Sequence, residues 1–338
     1  MLKNKLSSVL LASGLMAASA LSQAAEVVNV YSYRQPFLVE PLFAEFSKDT
    51  GIEVNMVFAK KGLSERLERE GQLSPADLVL TTDISRLMNL VEKDLSQPVD
   101  SQSINNDIPA QYRDPEGEWF ALTKRVRNIY STKRSDKPEG ITYDDLADPK
   151  YKGKICTRSG KNAYNVGLVA AYVAHNGEEA TKEWLQGFKE NLARRPQGND
   201  RAQVKAIKEG VCDLSIGNSY YFGKMMTNEE QRPWAESVYI NFPDQKGHGS
   251  HVNVSGMVLT KHAPNKDNAV KLMEFLASEK AQATFAEVNM EYPVNPDVPV
   301  SEMVASWGAF KSDDLPVYKL AENYATAQKL LDEVRFDL

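Results

Sequence analysis

The sequence is poor in the side chains on which most metal and catalytic sites are built. It has two cysteines and four histidines in 338 residues, and none of these stands at zinc-ligand spacing. No nucleophile elbow, phosphate-binding glycine loop or zinc-protease motif occurs, and Ser219 has no histidine paired with it in the sequence. These absences argue against an enzyme. Positive charge is also short, with 40 Lys and Arg against 46 Asp and Glu and a net charge of −6. An acidic body lacks the basic face that phosphate backbones require, which excludes nucleic acid as the expected partner. Beyond the N-terminus no apolar run reaches the length of a membrane span, so the mature chain is not expected to be membrane-embedded.

What is present begins with a leader. Lys3 and Lys5 precede a small-residue apolar run from Val9 to Leu21, and Ser22-Gln23-Ala24 supplies small residues for cleavage after Ala24. With no twin arginine before the run and no cysteine at its end, residues 1–24 read as an unlipidated Sec-type signal peptide. The expected location is therefore the periplasm. Loss of Lys3 and Lys5 with the leader takes the mature charge to about −8. Cys156 and Cys212 are an even pair in an exported chain, which predicts a disulfide.

The remaining chain, 42% apolar and 25% charged over its full length, has the composition of a globular protein and the length for two lobes. Strand-like and helix-like stretches alternate, predicting α/β layers. Residues 26–31, 52–58 and 76–80 read as strands, with helices over 37–50, closed by Gly51, and over 63–70. The rhythm returns in strands at 153–157 and 211–216, with helices over 165–175 and after Ser219, as expected of a second lobe. Residues 119–127 and 252–259 are β-rich and suit strands that carry the chain across and back, leaving a hinge and a cleft.

The densest chemistry lies in Gly217-Asn218-Ser219-Tyr220-Tyr221-Phe222-Gly223. Here a strand runs into a helix that Asn218 or Ser219 is expected to N-cap. Adjacent side chains diverge on a regular strand or helix, so two tyrosines converge most easily at such a junction, where a helix start also favours a phenolate. Tandem tyrosines in a half-buried surface are the plainer alternative. A second junction, 156–164, places Tyr164 in the first turn of another helix. The Cys156-to-Tyr164 and Cys212-to-Tyr220 spacings are both eight residues, so a Cys156–Cys212 bridge would bring both junctions to one sheet edge. Three phenolate oxygens are hard anionic donors suited to Fe(III), and they balance its charge. Arg125 on the first crossing segment is placed to clamp an anion such as carbonate, and Arg34 can reach the cleft from the other lobe. For each arginine a cross-lobe salt bridge is an equal alternative. His175 and His262 read as surface helix-end residues, and His248 and His251 as structural loop residues around Gly249.

Five segments give a resemblance. Leu122-Thr123-Lys124-Arg125, residues 146–154 (LADPKYKGK), residues 195–200 (RPQGND), Asn218-Ser219-Tyr220-Tyr221 and residues 251–256 (HVNVSG) together resemble the periplasmic ferric-ion-binding proteins of iron-uptake ABC transporters. The resemblance implies a type II, Venus-flytrap periplasmic-binding fold with crossing hinge strands. It places residues 25–123 with 252–298 in the first lobe and 124–251 with 299–338 in the second. It matches Tyr164, Tyr220 and Tyr221 to the iron-binding tyrosines, and Arg125 to the arginine beside a synergistic carbonate or bicarbonate. The implied partner is the permease of an inner-membrane ABC transporter, and the implied state a monomer. Many relatives carry Arg-His-Tyr after the first strand. Here that stretch is Arg34-Gln35-Pro36, so the first lobe is expected to supply hydrogen bonds from Arg34 and Gln35 rather than a metal ligand. The alternative function is a receptor for a small anion held at helix N-termini and Arg125.

Overall fold

The computed structural model describes residues 26–338; the leader and its cleavage point lie outside the described residues. Nine strands occur among these residues: β1 Val27–Ser32, β2 Glu53–Phe58, β3 Leu78–Thr81, β4 Phe120–Thr132, β5 Ile155–Cys156, β6 Leu214–Asn218, β7 Val238–Asn241, β8 Val252–Leu259 and β9 Tyr292–Pro293. Their order is β2-β1-β3-β8-β4-β6-β5, with β7 and β9 also on β4. β1 pairs in parallel with β2 and β3, while β8 returns antiparallel between β3 and β4.

β4 explains the two lobes. Its first half, from Phe120 to Val126, pairs with β8, whereas Arg127–Ser131 pairs with β6 and Ile129–Thr132 with β7. One strand of 13 residues thus belongs to two sheets, and β8 runs beside it as far as Val126, where the second sheet begins. Every residue of β4 except Lys124 is buried. A strand covered on both faces is ordinarily apolar. β4 instead buries Thr123, Arg125, Arg127 and Asn128, and such groups persist inside a protein only when paired or used.

The register of β4 on β8 slips between Ala121 and Thr123, leaving Leu122 as an extra residue opposite Gly256 and Ser255. Gly256 is needed there, because a Cβ on it would sit 2.4 Å from the Phe120 carbonyl oxygen. The buried apolar residues form two clusters, the larger of which also takes in Cys156, Val238 and Ile240 from the second sheet. Val30, Phe46, Leu80, Trp119 and Phe285 belong to the larger, and Ile129, Val169, Trp184, Ile216 and Phe336 to the smaller. The C-terminal helix Tyr324–Glu333 lies on the helical segment Ala163–Glu190, with Phe336 edge-on to Phe188 at 5.1 Å.

The observed elements sharpen the expectations. The stretch expected as one helix over 37–50 is a 3-10 turn, Pro36–Leu38, followed by Glu40–Thr50, with Gly51 in the left-handed conformation at its end. The helix expected over 165–175 runs from Ala163 to Glu190, broken at Gly177, whose φ of 81° and ψ of 173° are non-helical. The strand expected over 153–157 shortens to Ile155–Cys156 because its neighbouring residues turn into loops. The disulfide is present: Cys156 and Cys212 are bonded, with Cα atoms 5.9 Å apart, and β5 and β6 are parallel neighbours.

Candidate functional site

Both tyrosine junctions lie at the end of the second sheet. At the first, Asn165 Nδ2 donates to Thr157 Oγ1, Arg158 O and Ser159 O, each at 3.1 Å, and folds the loop after β5 into a tight turn. Asn162 then caps the helix, its Oδ1 accepting from Tyr164 N at 3.1 Å. At the second, β6 passes into the helix Tyr220–Met226 with no intervening loop. The side-chain N-cap expected from Asn218 or Ser219 is not made. Ser219 is already helical and turns its hydroxyl to accept from Val126 N at 3.3 Å, while Asn218 Oδ1 accepts from Arg127 Nη1 at 3.1 Å. Gly217 permits the close packing, since a Cβ there would lie 2.6 Å from the Tyr130 ring.

The three phenols expected to converge do so. Tyr220 donates its hydroxyl to that of Tyr164 at 3.4 Å, and the rings of Tyr220 and Tyr221 are 4.2 Å apart, tilted by 37°. Burial, followed by the neighbouring phenols of Tyr164 and Tyr221, raises the Tyr220 hydroxyl well above the usual tyrosine value. Burial, then Tyr164 and Asp200, raises Tyr221 to about 12. The guanidinium carbons of Arg158, Arg125 and Arg127 stand 5.2, 5.8 and 6.0 Å from the Tyr164 ring centre, and that of Arg201 stands 5.9 Å from the Tyr221 ring. Cations this close to the rings would stabilise a phenolate if the protons were displaced.

Two buried arginine–carboxylate–arginine groups flank Tyr164. In one, Asp200 takes Arg127 at 2.6 Å and Arg158 at 3.2 Å, and also accepts from Asn218 N at 2.9 Å. In the other, Glu291 takes Arg34 at 2.9 Å and stands 3.6 Å from Arg125. Both arginines thus meet a carboxylate that the sequence reading did not single out, although by the expected lobe bounds the Arg34–Glu291 pair lies within the first lobe and only the longer Arg125–Glu291 contact spans the two. Burial alone would raise the Glu291 carboxyl, but Arg34 and Arg125, with a hydrogen bond from Thr123, hold it below the usual range. Arg125 keeps capacity for another partner. Its Nη2 donates to Val254 O at 3.3 Å, and its buried Nε has no partner among the described residues.

The three tyrosines, Arg125 and the Arg34–Glu291 pair line one cleft of about 640 Å³ between the sheets, in which Arg34, Gln35 and Thr82 face Tyr164, Tyr220 and Tyr221. Its walls carry Arg34, Lys60, Arg86, Arg125, Arg201 and Lys224 against the single carboxylate of Glu291. Among the described residues, no three His, Cys, Asp or Glu side chains gather as a metal-binding group. The donor set at the cleft is phenolic, which suits a hard trivalent cation rather than zinc or copper.

The histidines differ from expectation in place. His175 is no simple surface residue: its ring stacks on His248 at 3.9 Å and its Nε2 lies 2.9 Å from Asp313 Oδ2. His251 is buried at the start of β8, where lack of solvent and the nearby Arg127 push its imidazole down to about 3. Glu291 escaped the sequence reading because it stands alone after the helix Glu279–Asn289, carried by Met290 in the left-handed conformation. An isolated acid directly before the apolar Tyr292-Pro293-Val294 was the available sign.

A two-sheet molecule hinged on shared strands, with polar groups converging in the cleft, has the architecture of a solute-binding protein. A profile of the family described as bacterial extracellular solute-binding protein matches residues 74–312, and the chain belongs to that family. It is 46% identical over 310 residues to iron uptake protein A1 of Synechocystis sp., covering 90% of this chain and 86% of that one. It superposes on Mannheimia haemolytica ferric iron-binding protein A in an open conformation with a TM-score of 0.89 and 57% identity, over 93% of this chain and 100% of the other. It also superposes on a Trichodesmium protein in complex with iron and citrate ligands, with a TM-score of 0.88 and 41% identity, over 92% and 99% of the two chains.

Proposed function

We propose that this protein is a periplasmic receptor that binds Fe(III) through Tyr164, Tyr220 and Tyr221 and delivers it to the permease of an inner-membrane ABC transporter. The observation that carries the reading is the meeting of three phenols, with Arg125, Arg127 and Arg158 over the Tyr164 ring and Arg201 over that of Tyr221. Three phenolates neutralise a trivalent ion, and Arg125 offers its spare donors to an accompanying carbonate or bicarbonate. Arg34 and Gln35 serve from the first lobe without ligating. The lobes divide near residues 123/124 and 251/252, where β4 and β8 cross, with 299–338 on the second lobe. Function consists of binding, closure and release by a monomer, with no bond-making chemistry. The names of the relatives support this reading.

Metal analysis and a visible spectrum test it. Protein loaded with Fe(III) and bicarbonate is expected to show a phenolate-to-iron charge-transfer band. A colourless protein with no affinity for Fe(III) refutes it. The cationic cleft favours a second reading, a receptor for a small anion alone. Calorimetry with phosphate, sulfate and dicarboxylates separates the two, because binding that persists after all three tyrosines become phenylalanine belongs to the anion reading.

A further inference from the structure

We infer that Glu291 is a specificity-determining residue that sets which anion accompanies the metal; this rests on the reading that Arg125 seats that anion. The group is built for one function at a time. Arg34, Arg125 and Glu291 are 2%, 3% and 6% exposed, so their charges act on one another with little screening. Glu291 Oε2 accepts from Arg34 Nη2 at 2.9 Å and from Thr123 Oγ1 at 2.7 Å, and Ser255 Oγ meets Thr123 Oγ1 at 2.6 Å. Arg34 is thereby engaged through both terminal nitrogens, its Nη1 lying 3.5 Å from Thr123 Oγ1, although its Nε has no partner among the described residues. Arg125 is not so engaged: Glu291 Oε1 is 3.6 Å from its Nη1, beyond a hydrogen bond, and one protein carbonyl is its sole hydrogen-bond acceptor among the described residues.

Two guanidiniums and one carboxylate leave this group with one net positive charge. An anion arriving at Arg125 meets one available guanidinium and a carboxylate that repels added negative charge. That balance favours a small monoanion over a dianion. Removing the Glu291 charge frees Arg34 and gives the seat a second positive charge, which a dianion exploits more than a monoanion. Removing the Arg34 charge does the reverse, leaving Glu291 to Arg125 alone. A merely structural carboxylate would give no such opposition, since losing either partner of a buried pair disturbs packing in the same sense.

The test uses iron-loaded protein, titrated with bicarbonate and with inorganic phosphate while the charge-transfer band is followed. The quantity read is the ratio of the two half-saturation concentrations. Glu291→Gln is expected to shift the ratio toward phosphate by about tenfold or more, and Arg34→Gln to shift it toward bicarbonate. The double variant, with the net charge of the parent, is expected to return near the parent ratio. Should one variant fail to fold, the direction of the other still decides. An unchanged ratio, or a shift in the same direction in both single variants, overturns the role of Glu291. If the parent's band responds to neither anion, the Arg125 seat itself is refuted, and the inference with it.

Discussion

The Tyr220 hydroxyl donates to the Tyr164 hydroxyl at 3.4 Å although 56 residues separate them. Two strand-to-helix junctions bring them together, and the Cys156–Cys212 bond ties the approaches to those junctions. The half-buried phenols of Tyr220 and Tyr221 keep their protons at neutral pH, since desolvation and their neighbours raise both above the usual tyrosine value. A metal must therefore displace them. Iron affinity is expected to rise with pH, tenfold per unit for each proton released and up to about a thousandfold for three phenols. Potentiometric proton counting during Fe(III) titration checks the number. Tyr221→Phe should lower affinity by more than about 100-fold, since outer-shell changes alone cost 10–100-fold.

Removal of the disulfide should act on the second lobe. The bond closes a separation of 56 residues, for which chain-entropy reasoning gives about 4 kcal/mol. Cys156→Ala with Cys212→Ala is expected to lose about 2–4 kcal/mol in urea unfolding and to broaden the iron band by loosening the approach of Tyr164 to Tyr220. An unchanged midpoint would mean that strand pairing between β5 and β6 suffices.

Gly256 is the second target. Its place opposite the β4 bulge leaves no room for a methyl group, with Phe120 O only 2.4 Å from an added Cβ. Gly256→Ala should cost about 1–3 kcal/mol through forced backbone movement. Because the bulge lies where β4 and β8 cross, small-angle scattering should also show a changed distribution between open and closed forms. A variant as stable as its parent, with identical scattering, would refute the constraint.

His251 gives the chain a defined acid sensitivity. Its folded-state value of about 3 lies below that of an unfolded histidine near 6.5, so only the unfolded chain takes up the proton between them. Stability is thus intact above pH 6.5 and falls as pH drops toward 3, by about 1.4 kcal/mol per unit from this group. Asp244, raised by burial to about 6, titrates with the opposite sign below that value. Comparing His251→Gln with its parent removes that contribution, because both proteins retain Asp244. The stability difference between them should shift in favour of the variant as pH falls, and a pH-independent difference would contradict the assignment.

Much of this was legible in sequence where local pattern and chemistry coincide. Val252–Leu259 was bounded correctly because turn residues flank an apolar run, and Leu63–Glu70 because glycines enclose it. The three phenols were legible because two strand-to-helix junctions and two cysteines share one spacing. The extent of β5 was not, since Gly153 takes a left-handed conformation with φ 69° and Lys154 N donates to Tyr151 O and Asn191 O rather than to a strand. Glu291 and the Asp200 group were hidden for another reason. Their partners lie 257 residues away at Arg34 and 73 away at Arg127, and no periodicity carries such pairings.

All three phenols belong to one half of the molecule, at the end of the second sheet, and that half carries its own covalent tie. Parting the halves leaves every proposed ligand where it was. On the proposed ligand set, opening would uncover the cargo without unloading it, and the receptor would work as a tray with a lid rather than as a pair of tongs. Unloading then falls to chemistry at the phenolates, by protonation, reduction or a competing chelator presented at the membrane.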